Sequence, residues 1–184
     1  TDTADKATST TEDKNDTGLD ARIKIYPSFG SEILSGLNLY LGASQVKRHE
    51  NAPDTDDQLE GVAAFTYDLG PVSIGAMVSG LYNGAEDTTT TFNTYKNTGF
   101  GIAFNVNDDF SVSYGNYKTR KTGVPYSENV QGGPEDRIVE VRSIQAAYTM
   151  GGATISIADV NVDNAGFAAA NDQVATIVSL GLAF

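Results

Sequence analysis

Apolar and polar residues alternate with a period near two along most of the chain, which is typical of β-strands. The alternation is strictest in the last segment, where Val174, Val178, Leu180, Leu182 and Phe184 share one parity. Nine such segments can be traced, and none has the period of an amphipathic helix. They span 19–26, 36–47, 59–69, 72–82, 95–106, 110–120, 138–149, 153–162 and 174–184. The pattern predicts an all-β protein built from antiparallel strands.

The connections between these segments alternate in length. Tight-turn sequences occur at Gly70–Pro71, at Asn107–Asp109 and at Gly151–Gly152. The remaining connections are longer, and most are rich in polar residues. Short turns on one edge and long loops on the other are typical of an outer-membrane barrel, whereas a soluble sandwich has no reason to sort its loops in this way.

Each segment has one apolar face and one face of small or polar residues. In 72–82, for example, Val72 and Ile74 alternate with Ser73 and Gly75. A soluble sandwich would produce the same alternation, but its water-facing side usually carries charge, which is nearly absent in the middle of these segments. Most segments also match the roughly 9–11 residues of a tilted membrane crossing. A soluble strand usually has only about 5–6 residues.

Several aromatic residues lie near the ends of the segments, where barrels place their interfacial girdles. These residues are Tyr67, Tyr82, Phe110, Tyr148 and Phe184. The alternative interpretation is that aromatic residues simply favour strands.

Composition narrows the classes of function. With 184 residues, one domain is expected, and a formal net charge of -12 argues against nucleic acid as a partner. The chain has no cysteine, so it offers neither a disulfide framework nor a thiolate site. It has no run of 18 apolar residues, which excludes a membrane-spanning helix but not a membrane barrel. It begins with Thr1 and shows no signal peptide, which suggests a mature or processed product.

The number of segments bears on how the barrel is completed. Bacterial single-chain barrels have an even number of strands, whereas nine are traced here. An unpaired strand edge in lipid costs several kcal/mol for each unsatisfied backbone group. We therefore expect residues 19–184 to be the carboxy-terminal strands of a larger barrel and residues 1–18 to belong to an extracellular loop.

Four stretches carry a resemblance to a known family. They are "YDLGPVSIGAMVSG", "GFGIAFNVNDDFSVSYG", "AAYTMGGATISIADVNVDN" and "SLGLAF". Together they resemble the late hairpins of Gram-negative porins, particularly the alphaproteobacterial type. The resemblance implies a transmembrane antiparallel barrel of sixteen strands, of which this chain supplies about nine.

The resemblance also implies a function and a set of partners. A porin forms a water-filled pore for passive diffusion of small hydrophilic solutes and ions, and it is not an enzyme. The expected setting is the bacterial outer membrane, with a homotrimer in contact with lipid and lipopolysaccharide. Phe184 resembles the terminal signal read by the outer-membrane assembly machinery. Three alternatives stay open: a substrate-specific channel, a barrel used as an anchor, and a soluble or secreted β-sandwich adhesin.

Pore-lining residues are predicted from strand parity. If Ala21 and Ile23 face lipid, then Arg22, Lys24 and Tyr26 face the lumen. The same reasoning selects Asn38 and Tyr40 on the next strand. Arg22 and Lys24 resemble the basic wall of porins, which orients dipolar solutes in a transverse field. The alternative is that they are ordinary polar residues on a water-facing strand.

Arg142 and the remaining candidates are less informative. Parity points Arg142 outward with Ile144 unless a bulge intervenes, and its place near the end of its segment suggests a position above the membrane. His49, the only histidine, lies in a charged loop and is expected to be solvated. Three neighbouring aspartates, Asp54, Asp56 and Asp57, could bind Ca²⁺, which prefers oxygen ligands. Their sequence lacks the remaining ligand positions of a dedicated calcium loop. No cofactor other than calcium is predicted.

Overall fold

The computed structural model describes residues 15–27, 34–48, 56–84, 92–123 and 137–182, without the side chains of 15–17 and 48. These residues form one sheet of nine antiparallel strands that follow one another in chain order. The sheet is not closed on itself. The strands are β1 (Asn15–Ile25), β2 (Leu37–Arg48), β3 (Gln58–Leu69), β4 (Val72–Tyr82), β5 (Phe92–Asn105), β6 (Phe110–Gly123), β7 (Arg137–Met150), β8 (Ala153–Asp163) and β9 (Gln173–Leu182). The all-β prediction is confirmed.

Three strand boundaries differ by three or more residues from those predicted, and several others differ by one or two. β1 begins at Asn15, inside the segment predicted to be a loop, and β5 begins at Phe92 instead of residue 95. β6 continues to Gly123 instead of ending at residue 120. Apart from Phe92 these extensions are polar or glycine, and the backbone ladder continues through them because strand pairing needs no apolar side chain.

The three tight turns lie where the sequence places them. Gly70 and Gly151 adopt positive φ angles of 65° and 55°, which a residue without Cβ tolerates. At the β5–β6 turn, the Asn107 carboxamide oxygen accepts hydrogen bonds from the backbone N–H groups of Asp109 (2.9 Å) and Phe110 (2.8 Å). The connections β2–β3, β4–β5, β6–β7 and β8–β9 lie at the opposite edge, which is called the loop end below. The β1–β2 connection, residues 26–36, is also long but lies at the edge of the tight turns, so the sorting of the connections by length has this one exception.

Helical structure is minimal in the described part of the chain. It includes a single turn of 3-10 helix at Ala165–Phe167, in the connection between β8 and β9. Among the described residues, no helix is long and apolar enough to span a membrane.

The sheet is a single layer without a hydrophobic core. Among the described residues no hydrophobic side chain is buried, and many large ones are strongly exposed, such as Leu180 at 62% and Phe100 at 50%. Burying a side chain of this size stabilises a fold by about 1.5–3 kcal/mol. Much of the stabilisation of the sheet must therefore come from contacts that cover these exposed side chains.

Candidate pore-lining face

The strand register separates the sheet into two faces. The apolar face is defined by the cross-strand row of Ile74, Ile102, Tyr114 and Ile144. The polar face is defined by the neighbouring row of Thr66, Gly75, Gly101, Gly115 and Ser143. Residues paired across strands point to the same side of the sheet. The alternating side chains of the separate strands therefore join into two continuous surfaces, one apolar and one polar.

The two faces differ in exposure. On β5, Phe100, Ile102 and Phe104 are exposed, whereas Gly101 and Ala103 between them are less accessible. Three grooves along the sheet lie on the polar face. Together these features show that the polar face is concave and that the apolar side chains stand out from the convex side.

The first groove lies towards the loop end of β1 to β5 and has a volume of about 750 Å³. It brings together Arg22 and two acidic residues, Asp20 and Glu60. Asp20 pairs with Ser44, which pairs with Glu60, so the two carboxylates belong to one cross-strand row. Glu60 was not singled out from the sequence, because only the register connects its strand to β1. The groove is thus of mixed charge and not a purely basic wall.

Lys24 lies one row further from the loop end, opposite Tyr40. Its ammonium nitrogen lies 4.6 Å from the ring centroid of Tyr26 and 5.0 Å from that of Tyr40. Both distances are within the range of cation–π attraction. Tyr26 follows the last residue of β1 and is 63% exposed.

Four of the five predicted pore-lining residues thus share the polar face. Arg22 and Lys24 lie on β1, and Asn38 and Tyr40 lie on β2. The Asn38 side chain donates a hydrogen bond of 3.4 Å to the carbonyl oxygen of Gly36. Tyr26 is connected to this group through Lys24.

The second groove lies near the middle of the sheet and has a volume of about 490 Å³. Tyr40, Met77 and Tyr117 supply its large side chains. Its floor is made of small residues, including Gly75, Gly99, Gly101 and Gly115. The absence of side chains at these positions creates the depression in an otherwise filled surface.

The apolar face becomes polar towards the loop end of β6 to β8. Glu140 accepts a hydrogen bond from Asn116 (2.6 Å) and forms an ion pair with Lys118 (3.1 Å). Arg142 forms an ion pair with Asp163. The ladder is continuous through Arg142, so this residue points outward, as parity predicts without a bulge.

The calcium prediction is only partly covered by the described residues, because Asp54 lies outside them. The Asp56 carboxylate accepts a hydrogen bond from the backbone of Asp57 (2.8 Å), and the Asp57 carboxylate accepts one from Gln45 (2.7 Å). Within the described ranges no three acidic, histidine or cysteine side chains are grouped so that they could hold a metal ion. The calcium site stays a prediction. The predicted assembly signal, Phe184, also lies outside the described residues.

Comparison with known proteins gives no match: no family model, no curated protein and no solved structure is significantly similar to the chain. The resemblance to porins therefore rests on the pattern of strands and turns.

Proposed function

We propose that this chain forms part of the wall of an outer-membrane β-barrel pore that passes small hydrophilic solutes and ions by passive diffusion. The observation that carries the proposal is the exposed apolar face, which continues across all nine strands. Contiguous exposed apolar surfaces are rare on soluble monomers. Membrane lipid would cover this apolar surface. The concave polar face would then line a water-filled pore.

The apolar face has the layering expected of a membrane wall. Its half nearest the short turns is apolar on every strand, and the loop-end half of β6 to β8 carries the ion pairs described above. Phe110 and Tyr148 are register partners at the short-turn end, where an aromatic girdle would lie. We propose that the apolar half contacts membrane lipid and that the polar half lies level with lipid headgroups, including lipopolysaccharide.

The edges of the sheet support completion by further strands. Within the described part, β1 and β9 are the two edge strands, and all ten residues of β9 are exposed. In hydrocarbon, each unpaired backbone group would cost several kcal/mol. We propose that additional strands close the barrel, to the sixteen and the homotrimer that the resemblance implies. The assembly machinery would then recognise Phe184.

A substrate-specific channel is the second candidate function. The observation that favours it is the second groove, where Tyr40 and Tyr117 offer aromatic surfaces beside a glycine floor. A specific channel would bind solutes that fit this groove and pass them selectively. A general pore would pass solutes of equal size alike, whether or not they fit the groove.

Reconstitution of the full-length protein into planar bilayers tests the proposal. We expect stepwise conductance increments and extraction from membranes only with detergent. Concentration-dependent block by one class of solute would favour the specific channel. A protein that is fully soluble without detergent and does not conduct would overturn the pore in favour of a soluble sandwich.

A further inference from the structure

An aromatic and cationic cluster connects the β8–β9 turn, residues 164–172, to the loop end of β5 to β7. The ammonium nitrogen of Lys121 lies 4.2 Å from the ring centroid of Phe92 and 4.4 Å from that of Phe167. The guanidinium carbon of Arg137 lies 5.7 Å from the Phe92 ring. These four residues are called the rim cluster below. In it, one cation is held between two rings, one from β5 and one from the turn.

The rim cluster lies on the polar side of the sheet. Lys121 pairs with Tyr95, which pairs with Leu81, and Leu81 pairs with Glu60 of the first groove. To reach Lys121 on β6, the turn that follows β8 passes over the end of β7. Phe167 is accordingly half-buried, whereas its neighbours Gly166 and Ala168 are exposed.

The strand side of the cluster is firmly held. The backbone carbonyl of Phe92 accepts a hydrogen bond from the Asn83 side chain (3.0 Å), and the backbone N–H of Asn83 donates to the carbonyl of Asn93 (2.9 Å). Asn93 is only 3% exposed and is the buried polar residue among those described. The backbone that carries the Phe92 ring is therefore held in place beside Lys121.

The turn itself is braced internally. The Asn164 carboxamide oxygen accepts a hydrogen bond from the backbone of Ala170 (3.1 Å), and the Asp172 carboxylate accepts one from the backbone of Asn164 (3.0 Å). The Asn171 side chain donates to the carbonyl of Ala165 (3.0 Å). These bonds hold the turn in one compact conformation.

The backbone of the turn is strained at two residues. Phe167 and Ala170 have φ angles of 62° and 60°, a region that residues with a Cβ rarely adopt. Such conformations persist only where surrounding contacts over-determine them, and they cluster at functional positions. The contact of the Phe167 ring with Lys121 connects the strained residue to the sheet.

We infer that the β8–β9 turn is a constriction at the loop-end mouth of the pore, held over the polar face by Lys121 and Phe167, and that Phe167 limits the size of solutes admitted. This inference rests on the proposed function. Phe167 then acts as a specificity-determining residue. Lys121 acts as a positioning residue, because it holds the ring in place.

The contact is tested first by distance, independently of transport. The chain contains no cysteine, so spin labels can be placed at introduced cysteines in the full-length protein, Thr119→Cys and Ala168→Cys. A narrow distance distribution is expected in the parent, and a broader and longer one after Phe167→Ala or Lys121→Met. Phe167→Trp and Lys121→Arg keep a ring and a cation and should restore the narrow distribution. Phe167→Gly relieves the strained φ but removes the ring, so it should behave like Phe167→Ala.

The size limit is tested by conductance and by exclusion of polyethylene glycols of increasing length. At about 1 M salt, charges are screened within about 3 Å, so Lys121→Met should then act through the turn and not through its lost charge. We expect Phe167→Ala and Lys121→Met to raise conductance by a similar factor, roughly 1.5-fold, and to admit longer polymers, because the pore diameter at the mouth sets passage. Lys121→Arg should match the parent, whereas Phe167→Trp carries a larger ring and should conduct no better than the parent and admit no longer polymers.

Each other outcome overturns a defined part of the inference. Unchanged distances in both disruptive variants would overturn the role of the rim cluster. Broadened distances with unchanged conductance and polymer limit would overturn the constriction. A parent protein that shows the narrow distance but conducts no ions would overturn the proposed pore, not the attachment of the turn.

Discussion

Tyr117 stands directly opposite Gly99 in the ladder between β5 and β6, and its ring covers the space where a side chain of residue 99 would lie. A Cβ on Gly99 would be 3.4 Å from the Tyr117 ring and 2.9 Å from Cγ of Met77, its partner on β4. The missing side chain thus lets a tyrosine and a methionine both approach residue 99 over the middle of the polar face. All three residues line the second groove.

Gly99→Ala is expected to destabilise the protein by about 1 kcal/mol, because overpacking outweighs the gain in strand propensity. Gly101→Ala is the matched control on the same strand and face. There the nearest atom to a new Cβ is the Tyr114 carbonyl oxygen at 3.7 Å. This control should stabilise by about 0.5 kcal/mol, since glycine weakens a strand. Urea unfolding in detergent measures both, and equal effects of the same sign would contradict the packing described here.

The apolar face should contact lipid in the assembled protein. Nitroxide labels at Phe104, Ile155 and Leu180, which are 42%, 55% and 62% exposed, should be accessible to oxygen and shielded from a water-soluble nickel complex. Labels at Ala103 and Ser156, which are neighbours on the polar face, should show the reverse. A protein in which both sets report a dry, tightly packed environment would be a sandwich.

Charges in the first groove and in the row beside it should influence ion selectivity. Replacing Arg22 and Lys24 by glutamine should raise cation over anion permeability, because charges act locally in a pore screened over about 8 Å at physiological salt. Glu60→Gln should shift the ratio in the opposite direction. Reversal potentials in a salt gradient measure both changes.

Lys96→Gln is the matched control for the selectivity experiment. It removes one positive charge on the opposite face of the sheet, where Lys96 pairs with Gly80 and Arg120. It should leave the permeability ratio unchanged. If Arg22 and Lys24 had no more effect than Lys96, they would lie outside the conducting path.

The ion pair between Arg142 and Asp163 should contribute little to stability. Their side chains are 46% and 37% exposed, and exposed pairs typically contribute about 0.2–1 kcal/mol. A double-mutant cycle with Arg142→Gln and Asp163→Asn should therefore give a coupling energy below about 1 kcal/mol. As a control, Arg142→Gln combined with Asp68→Asn, at the other end of the sheet, should give no coupling energy. A coupling of about 3 kcal/mol would instead indicate that this level of the sheet is dehydrated.

The sequence by itself determined the strands, their number and the two faces of each, because side-chain parity is a local property of an extended chain. It also determined the tight turns, since Gly70, Gly151 and Asn107 have local conformational preferences that need no distant partner. Strand ends were less predictable. β1, β5 and β6 extend into mostly polar residues because backbone pairing with a neighbour, and not hydrophobic pattern, decides where a ladder stops.

The tertiary structure alone decided which residues of different strands meet. Register aligned Glu60 with Asp20, and it placed Tyr117 over Gly99. Nothing local in the sequence indicated that the 164–172 connection, which reads as an ordinary loop, would place Phe167 against Lys121 on β6. Contacts of this kind depend on the fold of residues far apart in the chain. Parity therefore predicted the faces of the candidate site, whereas its grooves and its rim cluster required the assembled sheet.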